Sequence, residues 1–229
     1  MRRFIRASLI AITPLLLPSP ASADDWGLHN GDTMQQGGKM AYAEIGWPGI
    51  DGGFQYGVTS WFDAGVRISL PSFAWENTTV TSVGLAARVP LRLGVYKTDR
   101  VSAMLHVDPG MKLYFEECDY NYPYYYACGA SIKHHSLVGL QAPFGVDVGV
   151  HLSPEWSVDI ALEIPFDVLF LEGDPAMVLA PLVGGGFEYH ASPRFGIGLN
   201  GRAGPVIFRR EAIDLAFAFT TQFAFLFHL

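Results

Sequence analysis

Two groups of charged residues could do chemistry in the interior of this chain, because its basic and acidic members fall on separate stretches. The residues are Arg67, Arg88, Arg92 and Lys112, followed by Asp159, Glu163, Asp167 and Glu188. Buried charges need partners of opposite sign, whereas opposed charged walls around water would select solutes. Counted in residues from the nearest tight turn, Arg92 and Asp159 lie at a similar depth along their predicted strands. Arg88 and Glu163 do so as well. We expect these residues either to fill an interior with ion pairs or to line a narrow pathway.

The triplet His134-His135-Ser136 could supply a nucleophile and its general base. Successive residues of a strand point to opposite faces, so His135 and Ser136 do not share a face. His134 and Ser136 do share one, but it is the apolar face. We therefore expect that the protein is not an enzyme and that it carries no cofactor.

The first 23 residues predict export. Three arginines precede an apolar stretch over residues 7–17, and Ala21-Ser22-Ala23 is typical of a signal-peptide cleavage site. Cleavage there removes three of the 15 basic residues and none of the 22 acidic ones, so the net charge falls from −7 to 12 − 22 = −10. Residues 24–38, rich in Gly, Gln and Asp, are expected to form a flexible arm.

Cys118 and Cys128 enclose a tyrosine-rich segment. In an exported chain, such a pair indicates a disulfide that closes a loop, and two cysteines are too few for a metal site. The enclosed tyrosines are Tyr120, Tyr122, Tyr124, Tyr125 and Tyr126. This aromatic tip either binds a sugar or protein surface or packs on itself.

The composition excludes several classes of protein. Half of the 229 residues are apolar, 14% are aromatic and 16% are charged, so the chain is not intrinsically disordered. A net charge of −7 does not suit a nucleic-acid binder. Beyond residue 25, no uncharged apolar run reaches the ~20 residues of a membrane-spanning helix. The chain is thus strongly apolar, yet its apolar residues are dispersed.

Apolar residues alternate with polar or small ones along most of the chain after position 38. From residue 213 to the end, five phenylalanines occupy odd-numbered positions, as do Ile213 and Leu215. A period of two is typical of a β-strand with one apolar face. The same pattern predicts ten strands, at residues 39–47, 53–59, 62–70, 81–95, 101–115, 138–151, 156–171, 177–189, 195–207 and 213–229.

The connections between these strands alternate between tight and longer ones. The tight turns are at residues 60–61, 97–100, 153–155 and 192–194, and the longer loops at 48–52, 72–78, 117–129, 172–176 and 209–211. An antiparallel meander places alternate connections at opposite ends of the sheet. Several prolines lie ~8–12 residues from a tight turn, close to the ~9–11 residues of a membrane-crossing strand. We expect these prolines to mark one rim of the sheet.

The alternate strand positions that hold the apolar residues, here called the apolar parity, are expected to face outward. The polar parity is rich in Gly and Ala, which suits a crowded interior, and the strands are longer than those of most globular sheets. Aromatic residues lie near the ends of the apolar parity, among them Trp61, Trp156 and Phe227, as in the aromatic girdles of membrane barrels.

With these features, residues 39–229 resemble the small outer-membrane β-barrel proteins of Gram-negative bacteria (the porin and OmpA-like barrel class). The resemblance rests on the signal peptide, the even meander, the alternating loop lengths and the aromatic final strand 223–229, where Leu229 replaces the usual terminal aromatic residue. It implies an all-β fold, a single antiparallel up-and-down transmembrane β-barrel with ten strands, or else eight or twelve. It also implies export through the Sec pathway and location in the outer membrane.

The resemblance further implies contact with outer-membrane lipid and lipopolysaccharide, and recognition of the C-terminal strand by the barrel-insertion machinery. The tight turns and the arm at 24–38 would then be periplasmic, and the cysteine loop would be extracellular. Three functions follow as expectations. The first is a structural barrel or narrow solute pathway, the second is surface binding through the loop at 117–129, and the third is a barrel-embedded lipid-modifying hydrolase or protease. The solute or surface ligand stays unidentified.

Overall fold

The computed structural model describes residues 26–74, 81–116, 135–170, 175–209 and 213–229. The predicted signal peptide lies outside these residues, as do His134 and the whole loop that carries Cys118, Cys128 and the five tyrosines. His135 and Ser136 lie on a described strand, but their side chains do not belong to the described part.

The described residues form fifteen antiparallel β-strands in one sheet. The strands are β1 Lys39–Trp47, β2 Gly49–Thr59, β3 Phe62–Ala74, β4 Thr81–Arg88, β5 Leu91–Lys97, β6 Val101–Val107, β7 Gly110–Glu116, β8 His135–Gln141, β9 Phe144–His151, β10 Trp156–Ile164, β11 Phe166–Phe170, β12 Ala176–Leu179, β13 Leu182–Ser192, β14 Phe195–Arg209 and β15 Ile213–His228. The all-β antiparallel meander is therefore confirmed. The predicted loop at 48–52 reduces to Pro48 alone, because β2 begins at Gly49.

The strand pairings form a closed circuit. β1, the first strand, pairs with β15, the last, while β3 pairs with β5 as well as β4 and β14 pairs with both β12 and β13. Every described strand consequently has antiparallel neighbours on both sides. Where the first strand begins, the amide of Leu229 donates to the carbonyl of Lys39 at 2.9 Å. Each described strand thus has partners on both sides over at least part of its length, while residues 213–220 of β15 pair with β14 alone.

Besides β1 and β2, which Pro48 separates, five pairs of consecutive strands are separated only by one or two residues that include a proline. These prolines are Pro90, Pro109, Pro143, Pro165 and Pro181. Proline has no amide hydrogen to donate to the ladder, yet the register continues through each break. Glu163 faces Leu182 before the break and Phe166 faces Leu179 after it, three residues on in one strand and three back in the other. The breaks therefore interrupt hydrogen bonding without shifting the strands.

The prolines form a row across the middle of the sheet and not along its rim. The amide of Val89 donates to the carbonyl of Pro109, and the amide of Asp108 to the carbonyl of Pro143. Exposed apolar side chains lie on both sides of the row, such as Leu85 before Pro90 and Leu93 after it. The expectation of a proline-marked rim is wrong, because the apolar surface continues past the prolines.

The two faces of the sheet are inverted relative to those of a water-soluble protein. In β10, Ser157, Asp159 and Ala161 are buried, whereas the alternating Val158 and Ile160 are exposed. Each of the fifteen strands carries at least one exposed large apolar side chain, and most of the buried side chains on the opposite face are polar or charged. The expectation that the apolar parity faces outward is confirmed.

Residues 26–38 are here called the N-terminal segment, and residues 26–34 of it lie inside the circuit of strands. Every residue from 26 to 34 is buried. Trp26, Leu28 and Met34 pack with Met40 and Leu226 in an apolar cluster. The predicted flexible arm is therefore wrong for its described part, because these apolar side chains anchor the segment against the inner wall.

Candidate functional site: a charged interior closed by the N-terminal segment

The eight charged residues singled out in the sequence all lie on the inner face, but the two predicted pairs do not form. Arg92 donates to Asp63 at 2.9 Å instead of pairing with Asp159. Arg88 donates to Asp51 at 3.2 Å instead of pairing with Glu163. The reason is register: Asp63 stands directly opposite Arg92 in the β3–β5 pairing. A partner on an adjacent strand is closer than one across the interior.

Two other ion pairs join the predicted acidic residues to the wall. Lys112 and Asp167, one from each predicted group, pair across β8, which lies between their strands. Glu163 pairs with Arg202, which also donates to Asp147 at 3.2 Å. Basic and acidic side chains are therefore interleaved around the inner face instead of forming two opposed walls.

Arg67 lies at the centre of a second buried network. Its guanidinium donates to Glu44 at 2.6 Å and to Asp51 at 2.8 Å. The side-chain amide of Gln222 also donates to Asp51, at 2.7 Å. Charges held by several charge-assisted hydrogen bonds are compatible with burial, so this part of the interior is filled by structural contacts.

Several residues of the site were missed from the sequence: His29, Glu44, Asp51, Asp63, Asp147 and Arg202. All except His29 lie at the alternate positions that face inward, either on a predicted strand or directly beside one. Extending the alternating pattern to the weaker strands would have found them. His29 had no such signal, because the N-terminal segment does not alternate.

Side chains of the wall bind the backbone of the N-terminal segment. One carboxylate oxygen of Glu188 accepts hydrogen bonds from the amides of Leu28 at 2.9 Å and His29 at 2.7 Å. Asp63 accepts from the amide of Met34 at 3.1 Å. Arg92 donates to the carbonyl of Gly27 at 2.9 Å. The segment forms no ladder of its own there, so these contacts satisfy backbone groups that would otherwise be buried without partners.

Glycines allow the close approach of the segment. Gly31 adopts a positive φ of 79°, a conformation that suits glycine. A Cβ added at Gly149 on β9 would collide with the backbone carbonyl of Asn30. Next to it, the hydroxyl of Ser102 donates to the same carbonyl at 2.9 Å.

Charged side chains of the segment also pair with the wall. Asp32 lies 3.3 Å from both Lys97 and His151. The Nε2 atom of His29 lies 2.9 Å from Glu44. His29 belongs to the segment and not to a strand. Burial lowers the pKa of its imidazole, but the Glu44 carboxylate outweighs that effect, so the pKa of His29 lies above its usual value.

A small pocket lies beside the N-terminal segment. This pocket, lined by Trp26, Asn30, Asp32, His151 and His190, has a volume of about 10 Å³, which is the space of roughly one water molecule. Among the described residues, no group of three or more His, Cys, Asp or Glu side chains is placed to hold a metal ion. The same residues include no helix long and apolar enough to cross a membrane.

No protein-family model matches this chain, and no curated protein has a significantly similar sequence.

Proposed function

We propose that this protein is an integral outer-membrane β-barrel whose lumen is closed by its own N-terminal segment and becomes a narrow solute pathway when that segment moves. The observation that carries the proposal is the inverted sheet. Charged side chains are buried on the inner face, and large apolar side chains are exposed on every strand. Soluble monomers rarely expose apolar patches beyond a few hundred Å², so contact with lipid accounts for this surface better than contact with water.

The backbone pairing supports the same proposal. Within the hydrocarbon core of a membrane each backbone amide and carbonyl needs an internal partner, which only helices and closed sheets provide. The circuit from β1 to β15 gives each described strand such partners on both sides over at least part of its length. Because the register continues through each proline break, we count the fifteen strands as ten membrane-crossing ones, which matches the even number typical of bacterial barrels.

The closed state is supported by the contacts of the N-terminal segment. The segment reaches residues near three tight turns: His190 before the turn at 193–194, Ser102 after the turn at 98–100, and Ser60. It therefore crosses the enclosed space at the tight-turn end. The other end bears the longer loops, so that solutes would have to pass the segment to leave the lumen.

The location in the outer membrane follows from the sequence resemblance. The signal peptide and the aromatic final strand support export and membrane insertion, and β15 is paired along its whole length with β14 and over its last residues with β1. Lipid and lipopolysaccharide are the proposed surroundings of the exposed apolar face.

Membrane integration is testable with one substitution and a matched control. Ile160 is 69% exposed at the middle of β10, and an arginine facing the centre of the bilayer costs about 2–4 kcal/mol. We expect Ile160→Arg to lower the free energy of unfolding in liposomes by about that amount. Asp99→Arg, in the exposed turn between β5 and β6, should change it little.

The readout is heat-modifiable gel migration of protein folded into liposomes, followed across a denaturant series. The wild type should migrate differently before and after heating. A chain that stays soluble without detergent and shows no heat-dependent migration would contradict the proposal.

A further inference from the structure

Three histidines lie where the N-terminal segment meets the wall, and each faces a carboxylate. His29 of the segment faces Glu44 on β1, His151 on β9 faces Asp32 of the segment, and His190 on β13 lies beside Glu188. Histidine is the side chain whose charge ordinarily changes between pH 5 and 8. Protonation at any of the three sites would therefore place a positive charge next to a carboxylate at this interface.

The contact between His151 and Asp32 crosses the interface directly. Nε2 of His151 lies 3.3 Å from Asp32 and 3.0 Å from the hydroxyl of Ser102 on β6. Lys97 on β5 also lies 3.3 Å from Asp32. When His151 is neutral, Asp32 still has Lys97 as a partner. Protonation of His151 adds a second positive charge that holds the same carboxylate to the wall.

His29 makes the reciprocal contact, with the histidine on the segment and the carboxylate on the wall. Nε2 lies 2.9 Å from Glu44, and Nδ1 lies 3.4 Å from Arg202 on β14. Arg202 opposes protonation of His29, whereas Glu44 and the nearby Asp147 favour it. The upward shift of its pKa follows from the carboxylates. A raised pKa means that the protonated form stabilises the docked segment fully below about pH 6.5 and that this contribution is lost as the pH rises through the shifted value.

His190 acts on the segment through two contacts. Its ring stacks on Trp26, with ring centroids 4.3 Å apart and planes inclined by 20°. Its Nε2 lies 3.8 Å from Glu188, the carboxylate that accepts the amides of Leu28 and His29. His228 on β15 stacks on Trp26 as well, at 5.4 Å. A protonated imidazole attracts both the indole face and the carboxylate.

We propose that these histidines form a pH-sensitive latch that holds the N-terminal segment in the lumen under acidic conditions and loosens it as the pH rises. This inference rests on the proposed function in taking the segment as the closure of the lumen. The sign of the effect follows from the geometry, since a protonated imidazole beside Asp32, Glu44 or Glu188 forms an ion pair that a neutral imidazole does not. Arg92 and Lys97 also contact the segment, so the latch weakens without being abolished.

The latch is testable by hydrogen–deuterium exchange of the purified, folded full chain. The measured quantity is the protection of the peptide over residues 26–38, corrected for intrinsic exchange rates, at about pH 5 and about pH 8. We expect wild-type protection to fall at least about tenfold over this range, which corresponds to one pKa unit of coupling at a single histidine. His29→Gln, His151→Gln and His190→Gln should each reduce the fall, and the triple variant should nearly remove it.

His106→Gln is the matched control. His106 lies 3.5 Å from Asp147, but both belong to the wall and neither bonds the backbone of the segment, so this variant should keep the full pH dependence. Protection of the β10 peptide reports whether each variant is folded. Wild-type protection that stays within about twofold between the two pH values would overturn the latch, as would an undiminished fall in the triple variant. Because the assay needs no bilayer, its failure is distinguishable from a failure of membrane integration.

Discussion

The contacts that hold the N-terminal segment are made by single side chains that lie far away in the sequence. Glu188 accepts the amide of Leu28 across 160 positions, and Arg202 meets His29 across 173. The wall residues that contact the segment belong to several strands, among them β1, β3, β5, β6, β9, β13 and β14, so the bound conformation depends on much of the circuit. A single wall residue without a side chain, Gly149, is as important as the charged ones, because it makes room for the backbone of Asn30.

At this scale we predict that Gly149→Ala displaces the segment while the sheet stays folded. The added Cβ would collide with the Asn30 carbonyl, which is backbone and has little freedom to move. Limited proteolysis should then cut the variant within residues 26–38, where the wild type resists. In Gly201→Ala the new Cβ would lie 3.5 Å from the Thr220 carbonyl, an ordinary contact, so that variant should resist like the wild type. Equal resistance of Gly149→Ala would show that the segment does not depend on this approach.

At the scale of elements, the strands could be predicted from the sequence because alternation records which face is buried. Residues 213–229 alternate without interruption and form the longest strand, β15. The tight turn at 60–61 is where it was expected, and the turn expected at 192–194 occupies residues 193–194. Two features were not predictable. Ion-pair partners depend on register, as the pairing of Arg92 with Asp63 shows, and the N-terminal segment lacks alternation because its partners lie on several different strands.

The proline breaks lead to a prediction about these elements. Since the register is the same on both sides of Pro165, restoring an amide at that position should extend the ladder without moving either strand. We expect Pro165→Ala to fold into the same structure, with a free energy of unfolding within about 1 kcal/mol of the wild type, the typical net value of one hydrogen bond. Denaturant titration in detergent measures it. A loss of folding would mean that the break is required for the circuit to close.

At the scale of the molecule, the interior carries more acidic than basic groups. The described inward-facing carboxylates of the wall are Glu44, Asp51, Asp63, Asp108, Asp147, Asp159, Glu163, Asp167 and Glu188, and the basic groups are Arg67, Arg88, Arg92, Lys112 and Arg202. Charged rings of one sign determine which ions pass through a pore. A lumen freed of its segment would therefore favour cations.

The central claim is that the N-terminal segment closes the lumen of a membrane-inserted barrel. Single-channel recording in planar bilayers tests it most directly, by comparing the wild-type protein with a variant that lacks residues 26–38. The wild type should be silent at moderately acidic pH, and the shortened protein should give discrete, cation-selective conductance steps. Equal conductance of the two proteins, or silence of both after insertion has been verified by heat-modifiable migration, would contradict the claim.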